Sequence, residues 1–246
     1  MKSAQIQWMP GIASAVLCLL AMTGCGPSKK QLAARAEATR IDCLDKICYG
    51  DVAPKVDNMK EETLKFNGQW YVGPKEYFSR GINGAYFFWW EGKPRSSAMP
   101  VPKDMQTLLN DGKGYNFSIE MFFRSNNLPS EPLGYNLIKI AEENGWVVER
   151  KTLRLGLDAI KMKHVIGPSG YYIDHVTYYI ATKLVGVDGL PPVATCAHVL
   201  PNDTGGTGFM WQPGVWVGTR MNQRHCADWP EIFQETTRVL QLLKKA

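Results

Sequence analysis

The chain predicts an α+β domain: a largely antiparallel sheet with a mid-chain helix and a C-terminal helix packed on one face. Three observations lead there. Short alternating apolar runs recur between Gly, Pro and Asn turn residues, and only a few stretches carry helical periodicity. Strict strand–helix alternation, which a doubly wound parallel sheet needs, is missing, and so is any fixed-length repeat of the solenoid kind.

The N-terminus is set apart from the fold. An apolar run starting at Ile12 ends in Met22-Thr23-Gly24-Cys25 and gives way to Gly-Pro-Ser-Lys-Lys. It is shorter than the about 20 apolar residues that span a bilayer, and Lys2 precedes it, as in a secretory signal peptide. Cysteine directly after a small residue resembles the bacterial lipobox. That resemblance implies a signal peptide over residues 1–24 and acylation of Cys25 as the first residue of the mature chain. Gly26 stands where aspartate would resemble an inner-membrane retention signal, so the expected site is the outer membrane, facing the periplasm. Residues 25–40, polar and Ala-rich, then read as the lipidated N-terminus and a tether with some helical character, and residues 41–246 as the periplasmic α+β domain.

Composition fits an ordinary folded domain with plentiful aromatics, 11% of the chain. The formal charge of +5 includes Lys2, which leaves with the signal. No dense Lys/Arg stripe is present and the chain is read as exported, so nucleic acid is not an expected partner. Of six cysteines, Cys18 lies in the signal and Cys25 is the lipid site. The remaining four, Cys43, Cys48, Cys196 and Cys226, read as two disulfides of an oxidising compartment. Three pairings exist; Cys43–Cys48 and Cys196–Cys226 are favoured because each closes a local loop. The competing zinc site, built from Cys196, His198, His225 and Cys226, has ligand spacings that suit zinc poorly. No metal or cofactor is expected.

The domain opens with the clipped turn "DCLDKICYGD". Asn67-Gly68 between apolar runs is a strong hairpin signal, and Asn83-Gly84 precedes the aromatic strand "AYFFWWEGKP". "VPKDMQTLLNDGKG" suits a short helix begun by Pro102 or Asp104 and stopped at Gly112. "YNFSIEMFFRS" puts Phe117, Ile119, Met121 and Phe123 on one face of a strand. "LGYNLIKIAEENGW" is the mid-chain helix, with Leu137, Ile138 and Ala141 as its stripe and Gly145 as its stop. "WVVERKTLRLGL", "AIKMKHVI" and "GYYIDHVTYYIATKLVG" read as strands, the last carrying Ile173, Val176, Tyr178 and Ile180. "PPVATCAHVL" and "GFMWQPGVWVGTRM" add two more around the loop "PNDTGGTG". The chain closes in a helix with Asp228 as N-cap, Pro230 in its first turn, and Ile232, Phe233, Val239, Leu240 and Leu243 as its buried stripe, ended by lysines.

Catalytic patterns are weak throughout. "GPSGY" around Ser169 lacks the second glycine of a nucleophile elbow. Asp174 and His175 are adjacent, so on a strand they point to opposite faces. Glu61-Glu62 and Glu142-Glu143 read as solvated faces, and the glycines of "NDTGGTG" lead into no helix with a phosphate-binding lysine. The chain is therefore expected not to be an enzyme. Its distinctive asset is adjacent aromatics. Trp89 and Trp90 cannot both enter one core from one strand, so one of them is a candidate partner-binding anchor.

Three features together, "MTGC" at Met22–Cys25, the "CLDKIC" clip at Cys43–Cys48 and the "CADWPEI" helix start at Cys226–Ile232, give the chain a layout that resembles immunity lipoproteins of type VI secretion phospholipase effectors. That resemblance implies a protein that binds and neutralises a secreted phospholipase-type toxin while held to the membrane through its lipid anchor. It carries over no individual binding residue. Two other classes stand beside it. One is a structural or accessory envelope lipoprotein of a secretion or conjugation machine. The other is a periplasmic hydrolase with an unrecognised site around His175, His198 or His225.

Overall fold

The computed structural model describes residues 28–78, 84–96, 98–110, 117–125, 134–162, 165–166, 172–173, 176–197 and 204–246. The lipobox and Cys25 lie outside the described residues. The chain divides into two units, Met1–Asp42 and Cys43–Ala246.

Among the described residues of the first unit, helix α1 spans Lys29–Asp42, so the stretch read as a tether is helical beyond Arg40. Its start is a reciprocal cap. The Gln31 N–H donates to Ser28 Oγ at 3.2 Å, and the Ser28 N–H donates back to Gln31 Oε1 at 2.9 Å. Lys, Gln, Leu, Ala, Arg and Glu are all good helix formers. The side chains described along it are exposed, so no apolar face holds it to a core.

The second unit is α+β and antiparallel. Its main sheet has nine strands: β3 (Gly84–Trp90), β4 (Lys93–Arg95), β5 (Ser118–Ser125), β6 (Val147–Arg154), β7 (Leu157–Met162), β10 (Val176–Ile180), β11 (Val193–Ala197), β12 (Thr204–Gln212) and β13 (Val215–Asn222). Their order across the sheet is β4-β3-β5-β13-β12-β11-β10-β7-β6, every neighbour antiparallel. A smaller sheet combines β1 (Glu61–Phe66), β2 (Gln69–Pro74) and β14 (Lys244–Lys245), and β8 (Val165–Ile166) pairs with β9 (Tyr172–Ile173). Among the described residues three helices complete the unit: α2 (Lys103–Asn110), α3 (Tyr135–Glu143) and α4 (Trp229–Leu240), the last entered through a 3-10 turn over Gln223–Asp228.

Local chemistry explains the turns. Asn67 and Gly68 both take positive φ, 48° and 70°, the twist that joins β1 to β2 directly. Glu91 and Gly92 repeat the same pair of angles between β3 and β4, a hairpin the sequence hides because Glu is unusual there. Gly145 ends α3 as expected. Its N–H reaches Glu142 O at 3.2 Å and that of Trp146 reaches Ala141 O at 2.8 Å.

The pleat sorts the core into two faces. On one, Ile138 and Ala141 of α3 cover Ile160, Met162, Val176, Tyr178, Ile180 and Val193. On the other, Trp229, Ile232, Phe233, Val239 and Leu240 pack against strand residues that include Phe87, Trp89, Met121, Phe209 and Val217. Tyr179 pairs with Ala194 on the second face, while its neighbours Tyr178 and Ile180 turn to the first. The two helices therefore take opposite faces of the sheet rather than sharing one. The small sheet stacks on the second face, where the Phe66 ring lies 4.0 Å from Tyr71 and 4.2 Å from Phe123, nearly parallel to both.

Several expectations change. The stretch "GFMWQPGVWVGTRM" is a hairpin, turning at Pro213–Gly214, not one strand. Thr204–Gly208, read as loop, belongs to β12. The Trp216 ring lies over Gly208 within ordinary contact distance, 3.4 Å from where a Cβ would stand. Glu62 is buried in β1 instead of solvated. The terminal lysines do not end the helix; after Leu240 the chain turns and Lys244–Lys245 adds a strand to β2.

The clip Cys43–Cys48 is stitched to the small sheet. The Gly68 N–H donates to Leu44 O at 2.9 Å, the Asn67 N–H to Asp45 Oδ1 at 2.9 Å, and Lys65 Nζ to Asp51 Oδ2 at 2.5 Å. Lys65 and the Cys48 N–H hold the Asp51 carboxyl below its usual range.

Candidate binding surface

One end of the main sheet gathers residues that the sequence keeps far apart. Trp90 ends β3 and Phe117 precedes β5, with the Trp89 N–H donating to Phe117 O at 2.7 Å. Phe117 is the middle of a short stack. Trp90 meets it edge-on with ring centroids 4.8 Å apart, and the Arg224 guanidinium lies 5.6 Å from its centroid. Phe117 itself is buried, Trp90 is half-buried and Arg224 is exposed. The result is a fixed aromatic–arginine platform, the side-chain chemistry typical of interface anchors.

The platform is held from beneath. Asn222 Oδ1 accepts the Arg224 N–H at 3.1 Å and so caps the 3-10 turn. Two residues on, Cys226 is joined to Cys196 of β11, their Cα atoms 6.6 Å apart. Both sulfurs are thus committed to each other rather than to zinc. Trp89, offered above as an alternative anchor, is 1% exposed and belongs to the core. The reason is parity: Ala85, Phe87 and Trp89 point inward together, which leaves Trp90 on the other side. The Trp89 indole Nε1 donates to Asp228 Oδ2 at 2.8 Å, so Asp228 serves Trp89 rather than capping α4 with its side chain.

An ion pair ties the far edge strand of the sheet to the start of α4. Arg154, last residue of β6, bonds Glu231 of α4 and donates to Ala227 O at 3.2 Å. The pair holds the Glu231 carboxyl below its ordinary range and raises the guanidinium further. Arg154 and Arg224 carried no sequence signal, and Phe117 and Asp228 were legible only in other roles, because each takes its place here beside partners distant in the chain.

Of the other candidate residues, Ser169, Asp174, His175 and His198 lie outside the described residues. His225 is buried beside the disulfide. Glu142 binds Arg150 of β6 at 2.8 Å on an exposed face. Among the described residues, no group of three or more His, Cys, Asp or Glu is placed to hold a metal ion.

No protein-family model matches the chain, and no curated protein matches it. Its fold resembles that of a solved structure, Smlt3025, an immunity protein of the Stenotrophomonas maltophilia type IV secretion system. The two are 13% identical, the match covers 80% of this chain and 100% of that one, and the TM-score is 0.44. At that score the likeness lends no weight to a function. The two disulfides, Cys43–Cys48 and Cys196–Cys226, fit an oxidising compartment outside the cytoplasm.

Proposed function

We propose that this protein is an immunity protein: a lipid-anchored inhibitor, attached through Cys25 to the outer membrane and facing the periplasm, that neutralises a secreted phospholipase-type effector by stoichiometric binding. The observation that supports it most is the Trp90–Phe117–Arg224 platform, rigid and partly open to solvent on a disulfide-braced sheet end. A binding protein needs such pre-organised anchors, which lose little side-chain entropy on capture. The lipobox adds location, since a tethered inhibitor meets a membrane-damaging toxin at raised local concentration. By the sequence resemblance the effector belongs to a type VI secretion system.

Deleting the gene should sensitise cells to sister cells with an active secretion system, and re-expression in the periplasm should restore resistance. The purified protein should inhibit, at a one-to-one ratio, a phospholipase encoded nearby. Indifference of the deletion strain, together with no inhibition, would overturn this reading. Metabolic labelling with a fatty-acid analogue tests the anchor separately: Cys25→Ala should lose both the label and membrane association.

A further inference from the structure

The nine-stranded sheet ends differently on its two sides. β4 is a three-residue strand containing Pro94, a blunt edge. β6 is eight residues long, its side chains from Val148 onward are exposed, and no strand pairs with its outer side among the described residues. It also carries apolar side chains an edge normally avoids: Trp146 just before it, Val148 at 52% exposure, Leu153, and Leu155 just after it at 81%.

We propose that β6 is a homodimer interface, pairing antiparallel with β6 of a second copy to continue the sheet across a two-fold axis. The symmetry restricts the register. Residues directly opposite in an antiparallel pair share a face, so a two-fold axis through the pair must pass beside a single residue that opposes itself. The regular part of β6, Glu149–Thr152, lies between its two register shifts. Centring on Glu149 sets carboxylate against carboxylate, and centring on Lys151 sets ammonium against ammonium. Centring on Arg150 sets Glu149 of each copy against Lys151 of the other, twice, with Val148 opposite Thr152. That register alone matches opposite charges.

The Arg150 pair on the axis brings two like charges together, but each is already neutralised within its own copy. Arg150 bonds Glu142 at 2.8 Å and Asp158 at 3.4 Å on the α3 side. Glu149 and Lys151 project from the opposite face and form no ion pair within their own chain among the described residues. Lys161 of β7 stands opposite Glu149 without forming an ion pair, so the Glu149 and Lys151 charges both stay open to the second copy.

Sedimentation equilibrium of the full-length protein in mild detergent tests this. Wild type should dimerise. Glu149→Lys or Lys151→Glu should each weaken the dimer roughly tenfold or more, since two cross-strand pairs turn from attractive to repulsive. The double variant, carrying both changes, should recover wild-type affinity. Arg150→Cys should yield a covalent dimer on a non-reducing gel, whereas Lys161→Cys, one strand inward, should not. A wild type that stays monomeric at every concentration reached, or a double variant as weak as the singles, would overturn the proposal.

Discussion

The Trp89 indole donates a 2.8 Å hydrogen bond to Asp228, tying the third strand to the entry of the last helix. Because the acceptor is a carboxylate and the donor side chain is buried, this bond is among the stronger ones available to a neutral donor. Trp89→Phe keeps most of the apolar volume and removes the donor. It should lower stability by about 1–3 kcal/mol, read as a reduced urea midpoint at unchanged slope. Asp228→Asn, which retains an acceptor, should cost less.

The two disulfides should differ in weight. Cys196–Cys226 spans 30 residues and Cys43–Cys48 spans 5. Loop-closure entropy gives about 3–4 kcal/mol for the first and about 2 kcal/mol for the second. Chemical denaturation of the Cys196→Ala/Cys226→Ala and Cys43→Ala/Cys48→Ala variants should therefore rank them in that order.

Tyr178 sets an alkaline limit. Burial beneath α3 pushes its hydroxyl from the ordinary 10.0 of a tyrosine up to about 12. The folded-state pKa is raised, so the contribution is complete below pH 10 and is lost as pH rises through about 12. Two pH units correspond to about 2–3 kcal/mol, and Tyr178→Phe should flatten the fall in stability over that window.

Much of the fold was legible because its signals are local. Asn67-Gly68, the alternation from Ile119 to Phe123, and Gly145 each act through neighbours a few residues away, and each stands where expected, while Phe117 falls just outside the strand. What was not legible depends on partners across the sheet. Asp228 has the look of an N-cap, yet a buried indole from residue 89 outcompetes the helix N–H groups for it. Gly208 looks like loop glycine, yet it pairs with Gly218 inside the β12–β13 ladder. The platform was half visible: alternation showed that Trp89 and Trp90 must separate, but only the register decides which turns inward.

Thr236 carries a fully buried hydroxyl in α4 with no hydrogen-bond partner among the described residues. Thr236→Val keeps the branched shape and removes the unsatisfied group. It should raise the thermal midpoint, with a gain of about 1 kcal/mol.

Trp90 and Arg224 should separate binding from folding. Trp90→Ala or Arg224→Ala should weaken protection against the effector, by roughly 2 kcal/mol at a true anchor, with little change in melting temperature. Trp89→Ala should lose both, since it opens a cavity in the core. Equal melting losses at residues 89 and 90 would mean that Trp90 is structural.

The pairing of β5 with β13 has a kinetic meaning. These strands are third and fourth in the order of nine, both interior to the sheet, and Phe123 meets Val217 across the pair. A chain emerging from its N-terminus forms β3, β4 and β5 early and must hold β5, with Ile119, Met121 and Phe123, unsatisfied until nearly the whole meander has followed. Such high contact order makes folding slow and leaves an adhesive edge exposed throughout. The protein is thus a natural client for a chaperone during its own maturation, and its yield should depend on holdase capacity more than on final stability.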